Sequence, residues 1–174
     1  MPQTFNFVPH KMMIRMLRKI IAFTLLLIIA AACSKTDTTD DYSAVDKQKI
    51  EAYLAEKGLT SAAKSTSTGL YYIIEDPGAA YHPNINSTVR VMYKGYLLEG
   101  TIFDQSTYSS AKPADFTLSS GIIKGWKEGM QLVGVGGKIK LIIPSALGYG
   151  TVASTKIPAN SVLVFDIEVV DIFN

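Results

Sequence analysis

Between Val89 and Phe165 the chain carries a small set of side chains that could act together. Tyr93 comes first, then the pair Phe103-Asp104, then Ile122, Ile123 and Trp126, then Tyr149, Ile157 and Phe165. Rings and branched apolar groups dominate, and one acid directly follows an aromatic. Such a set builds a dry, ring-lined hollow with a few hydrogen-bonding groups. It suits a reaction that breaks no covalent bond. Taken singly, Phe103, Trp126, Tyr149, Ile157 and Phe165 read as ordinary core. Two features shift that reading. Tyr149 and Ile157 bracket a Gly/Ser/Thr-containing loop, where residues tend to the surface. Asp104 ends a short extended run, which puts an acid at the rim of an apolar cluster.

The rest of the sequence excludes most bond-making chemistry. His10 and His82 are the two histidines, and Cys33 is the single cysteine. They leave no His/Cys metal cluster, no Cys–His pair and no internal disulfide. A Ser–His–acid triad would need His82, which sits beside Pro83 in a turn-rich stretch and reads as a surface histidine. No phosphate-cradling glycine loop precedes a helix. Gly134 to Gly137 reads as a helix stop and turn. Asp104 and Glu99 straddle a tight turn, with no other support for paired-carboxylate hydrolysis. No cofactor is called for.

These side chains need elements to position them. Of 174 residues, 48% are hydrophobic and 18% charged, and the N-terminus supplies part of that skew. Ile20 to Ala32 is apolar apart from Thr24, too short to span a bilayer but suited to a secretory signal. Lys11, Arg15, Arg18 and Lys19 precede it, and Ala30 to Ala32 lead to Cys33. This segment resembles a bacterial lipoprotein signal, in which the cysteine is lipidated, although Ala30 stands where leucine is usual. An uncleaved anchor is the alternative, and Met12, Met13 and Met16 are alternative starts. Residues 1–33 hold four of the 17 basic residues and none of the 15 acidic ones, leaving 13 against 15. No basic patch remains to argue for nucleic acid.

Residues 34–43 (SKTDTTDDYS) read as a disordered acidic tether. Residues 44–68 read as a helix and linker. Val45, Ile50, Tyr53 and Leu54 fall near one face and Gly58 is a stop signal. This helix could pack on the main domain or mediate a homodimer. From Gly69 onward the pattern is a domain, 69–174. Leu70 to Ile74 is β-rich and ends at Asp76-Pro77-Gly78. Thr88 to Leu98 alternates, with Val89, Val91 and Tyr93 to one side. Glu99-Gly100 turns into Thr101 to Asp104 as a hairpin. Ser106 to Pro113 is a polar interruption before Phe116 to Leu118. Gly125 to Val133 is one short helix with Trp126, Met130 and Val133 on a face. Lys138 to Pro144 alternates again. A long loop, Ser145 to Asn160, leads to the final strand, Ser161 to Phe173. The expected fold is α+β: an antiparallel, twisted sheet of about five strands wrapped on one short helix, with an N-terminal helical extension.

The motifs in order are V-x-V-x-Y-x-G-x-L from Val89, E-G-T-x-F-D from Glu99, I-I-x-G-W-x-E-G from Ile122, G-x-K-x-x-L-x-I-P from Gly136, G-Y-G from Gly148 and I-P-A-N-x-x-L-x-F-D-I-E from Ile157. In this order and spacing Gly69 to Phe173 resembles the FKBP-type peptidyl-prolyl cis-trans isomerases, in a form like their exported bacterial members. The resemblance implies Trp126 as the floor under a proline ring. Tyr93, Phe103, Ile123 and Phe165 would be its walls, with Ile122 at the edge. The Ile123 N–H and the Tyr149 hydroxyl would bond substrate carbonyls. Asp104 would face the reacting amide and hydrogen-bond to Tyr93 or a nearby donor, and Ile157 would contact the residue flanking proline. This sequence departs from the family at three places. Thr107 to Ala111 offers no basic partner for Asp104, Ala114 replaces a frequent aromatic, and Thr151 to Lys156 lacks a bulky residue.

The function implied is rotation of X–Pro bonds in exported polypeptides, by a protein lipid-anchored at Cys33 in the cell envelope, with macrolides as candidate inhibitors. The alternatives are a holdase for proline-containing segments with little turnover, and a structural envelope lipoprotein.

Overall fold

The computed structural model describes residues 42–106 and 112–174. The signal segment with Cys33, nearly all of the 34–43 tether and residues 107–111 lie outside them.

The central element is β3, Thr88–Leu97. Its branched and aromatic residues favour extended backbone, and every second residue, from Val89 through Tyr93 to Leu97, is buried. It pairs antiparallel along its length with β7, Leu163–Phe173. β7 in turn pairs with β6, Lys138–Ile143, and β6 with β2, Tyr71–Asp76. The two-residue β1, Lys64–Ser65, adds to β2. On its other edge β3 pairs with β4, Ile102–Gln105, and with β5, Ala114–Thr117.

The sheet therefore has seven strands rather than about five, all pairings being antiparallel. The difference has two sources. The polar segment after Gln105 splits one strand into β4 and β5, which share the same edge of β3. The Ser/Thr-rich stretch expected to be linker supplies β1, whose pairing with Tyr71 and Tyr72 rests on backbone hydrogen bonding that side-chain pattern does not show.

One face of the sheet packs on α2, Lys124–Gly129, and the 3-10 turn Met130–Leu132 that continues it. Trp126, Met130 and Val133 join Val91, Leu141, Leu163 and Ile167 in the main core. Gly125 and Gly129 let this short helix lie flush on β6. A Cβ at Gly125 would come 2.6 Å from Ile143, and one at Gly129 would come 2.5 Å from Leu141.

The reverse face is covered by α1, Ser43–Glu56. Ile50, Tyr53 and Leu54 pack there with Ile73, Ile142, Val162 and Val164. Val45 is exposed, while three residues of the helix's apolar stripe, Ile50, Tyr53 and Leu54, are thus buried on its own sheet. Beside it Lys140 bonds the Tyr96 hydroxyl (3.0 Å) and the Asp166 carboxylate, with Lys94 3.5 Å from the same acid.

Candidate functional site

A cavity of about 500 Å³ opens where β3, β4, β7 and α2 meet the long β6–β7 connection. It is lined by all nine residues singled out in the sequence. β3 supplies Tyr93, β4 supplies Phe103 and Asp104, and β7 supplies Phe165. Ile122 and Ile123 lead into α2, which carries Trp126. Tyr149 and Ile157 come from the connection.

The rings hold each other edge to face. Trp126, 4% exposed, lies 5.4 Å from Tyr93 at 90° and 5.3 Å from Phe165 at 85°. Phe103 meets Phe165 at 5.4 Å and 81°. Such pairs set the positive edge of one ring against the negative face of another, which fixes the angle of each. Gly95 makes the Phe103–Phe165 contact fit: a Cβ there would come 2.7 Å from both rings. The Trp126 indole N–H has no hydrogen-bond partner among the described residues.

Asp104 is held by one strong contact. The Tyr93 hydroxyl donates to its Oδ2 at 2.7 Å. Burial pushes the Tyr93 hydroxyl pKa well up, and the bond to Asp104 pushes it further, so the phenol stays protonated as a donor. Ser106 clamps the Tyr93 backbone from both sides. Its Oγ accepts the Tyr93 N–H at 2.7 Å, and its own N–H donates to the Tyr93 carbonyl at 2.9 Å. Ser106 is buried, which its place in a polar stretch did not suggest.

Among the described residues no lysine or arginine forms an ion pair with Asp104. The cation lining this cavity is Lys156, whose Nζ donates to the Phe103 carbonyl at 3.3 Å. It ties the β6–β7 connection to β4. Sequence reasoning missed it because it lies 53 positions from its partner.

Two expectations about the lining need correction. Tyr149 and Ile157 were grouped as loop residues tending to the surface. Tyr149 is 49% exposed, but Ile157 is 8% exposed and belongs to the main core. Residues 154–157 fold back: the Ile157 N–H donates to Ser154 Oγ, and its carbonyl accepts from the Ser154 N–H. Where Ala114 replaces a frequent aromatic, Phe116 supplies a ring to the cavity lining. Its ring lies 4.9 Å from Trp126 and 5.5 Å from Tyr93. The signal was present, since Ala114 and Phe116 are two apart on one strand and share a face.

Residues 80–170 match the family described as FKBP-type peptidyl-prolyl cis-trans isomerase. The protein named FKBP-type peptidyl-prolyl cis-trans isomerase FkpA from Aeromonas hydrophila is 44% identical over 138 residues, covering 79% of this chain and 51% of that protein. FkpA of Escherichia coli K12 is 42% identical over 143 residues, covering 82% and 50%. The chain thus spans about half the length of the curated relatives it matches. The crystal structure of E. coli FkpA superposes with a TM-score of 0.66 at 33% identity, over 95% of this chain and 74% of that one. A peptidyl-prolyl cis-trans isomerase from Pseudomonas syringae pv. tomato gives 0.64 at 32% identity, over 79% and 100%.

Proposed function

Because this chain belongs to the FKBP-type peptidyl-prolyl cis-trans isomerase family, we propose that it catalyses rotation about X–Pro peptide bonds in polypeptide substrates. The observation that carries this reading is the cavity itself. Residues from five elements and two loops converge on a ring-lined hollow floored by Trp126, with a tyrosine-held acid at its rim.

The chemistry asked of it is modest. Amide rotation faces about 18–20 kcal/mol because resonance is lost on twisting. The planar amide is more charge-separated than the twisted one. A pocket walled by Phe103, Phe165 and Tyr93 removes water from that dipole and so disfavours the planar state more. Trp126 would carry the proline ring, with Ile123 and Ile157 against its flanks and Ile122 at the edge. The Ile123 N–H and the Tyr149 hydroxyl would hold the neighbouring carbonyls while the bond turns. Asp104, oriented by Tyr93, would face the reacting amide. Each tenfold in rate takes about 1.4 kcal/mol, within reach of packing and a few hydrogen bonds.

The test is exchange NMR on an X–Pro peptide with wild type, Tyr149→Phe and Phe103→Ala. Wild type is expected to accelerate exchange. Losing one hydroxyl donor should lower kcat/KM about two- to tenfold. Absence of acceleration by wild type overturns the enzyme reading, and suppressed aggregation of an unfolded client without acceleration would favour a holdase.

The same reading extends to location and ligands. The protein acts on exported polypeptides from the cell envelope, anchored by lipid at Cys33. Labelled palmitate should enter wild type and not Cys33→Ala, and the variant should leave the membrane fraction. A macrolide filling the cavity should change the fluorescence of Trp126, the sole tryptophan. Self-association through α1 would have to use residues other than Ile50, Tyr53 and Leu54, which the sheet already buries.

A further inference from the structure

Tyr149 is 49% exposed, so packing does little to fix its ring. Its position depends on the backbone to either side. Two later bonds hold that backbone from its far side, Val152 N–H to the Tyr149 carbonyl at 3.1 Å and Asn160 N–H to the Gly150 carbonyl at 2.8 Å, and on its near side one carbonyl holds both flanking residues. Ser145 O accepts from the Gly148 N–H at 2.9 Å and from the Gly150 N–H at 2.8 Å, the two residues that flank Tyr149. Ser145 is itself 2% exposed and opens the 3-10 turn Ser145–Leu147. The first N–H groups of a helical turn have no partner within it. Here the partner arrives from α1: Asp46 Oδ2 accepts the Ser145 N–H at 2.7 Å, across 99 positions of sequence.

Asp46 is an expensive way to pack a helix. It is 1% exposed, and its Oδ1 has no hydrogen-bond partner among the described residues. Lys49 Nζ lies 3.9 Å from it. A buried carboxylate with unused acceptor capacity carries a desolvation penalty. Ile50 and Leu54, buried on the same helix, show that apolar packing was available there.

We propose that Asp46 is a positioning residue. Through Ser145 it sets the stretch of backbone that carries Tyr149, which makes α1 a working part of the site and not a spacer before it. The inference rests on the isomerase reading and on the role given there to the Tyr149 hydroxyl.

The test is a double-mutant cycle in the X–Pro exchange assay, using the whole chain. Asp46→Ala is expected to lower kcat/KM about two- to tenfold, the range of one misplaced hydrogen bond. In the Tyr149→Phe background the same substitution should change it less than twofold, because no hydroxyl remains to misplace. Asp46→Asn, which keeps an acceptor for Ser145, should restore activity to within twofold of wild type. If Asp46→Ala does not fold, Asp46→Ser carries the comparison, since its shorter side chain cannot reach the Ser145 amide. An equal loss in both backgrounds, or no loss at all, overturns the proposal. If wild type fails to accelerate exchange, or Tyr149→Phe matches it, the underlying reading fails first and the inference with it.

Discussion

Ser106 and Phe116 show how much of the site rests on residues with no chemistry of their own. Ser106 Oγ is the acceptor for the buried Tyr93 N–H. Ser106→Ala leaves that donor unpaired, and is expected to cost about 1–3 kcal/mol, read as a lower urea midpoint. Because Tyr93 orients Asp104, kcat/KM should fall as well. Phe116 presses on both Trp126 and Tyr93. Phe116→Ala should loosen the cavity floor and destabilise by about 3 kcal/mol or somewhat less, since the ring is partly exposed. Calorimetry would read the stability change, and exchange NMR the lower kcat/KM. Tyr93 was one of two partners that the family resemblance implied for Asp104. The serine was not legible in the sequence, because its partners are backbone atoms.

At the scale of elements, α2 is the part that aims Trp126. Its six residues are too few for intrinsic helix stability. Contact with β6 through Gly125 and Gly129 holds it instead. Gly129→Val would drive a branched side chain into Leu141, 2.5 Å from where its Cβ must sit. Overpacking of this kind typically costs about 1–3 kcal/mol. The helix should lift from the strand and tilt the indole. The expected result is a lower denaturation midpoint, a shifted tryptophan emission and slower X–Pro exchange. The I-I-x-G-W-x-E-G motif marked this helix in the sequence, but what each glycine touches lies on β6, Ile143 for Gly125 and Leu141 for Gly129.

For the whole molecule, the two faces of the sheet share one response to alkali. Tyr93 lies on the cavity face, and Tyr53 and Tyr96 lie on the α1 face. Burial pushes Tyr53 up to about 12, helped by its bond to Tyr96. Burial likewise pushes Tyr96 up to about 12, and Tyr93 is raised for the same reason. The folded state therefore holds these protons more tightly than the unfolded chain, whose tyrosines titrate near 10. Their contribution to stability is intact below about pH 10 and is lost as pH rises toward the folded values. Urea midpoints at pH 8, 9 and 11 should be level between the first two and lower at the third. Tyr96→Phe should reduce the drop. A midpoint unchanged at pH 11 would contradict the assignment.

By itself the sequence determined the alternating strands, the short helix, the nine residues of the cavity and the family. The strands and helix are local in period, and the ordered spacing of the motifs carries the family resemblance that grouped the nine residues. The tertiary structure decided what crosses the chain. It split one edge strand into β4 and β5 and drew the linker into the sheet as β1. It laid α1 over the reverse face, buried Ile157 and brought Lys156 to Phe103. It also set Asp46 under the loop of Tyr149. Each of these depends on backbone hydrogen bonds or contacts between distant segments, and backbone groups are the same at every non-proline position, so no pattern of residue types encodes which of them will meet.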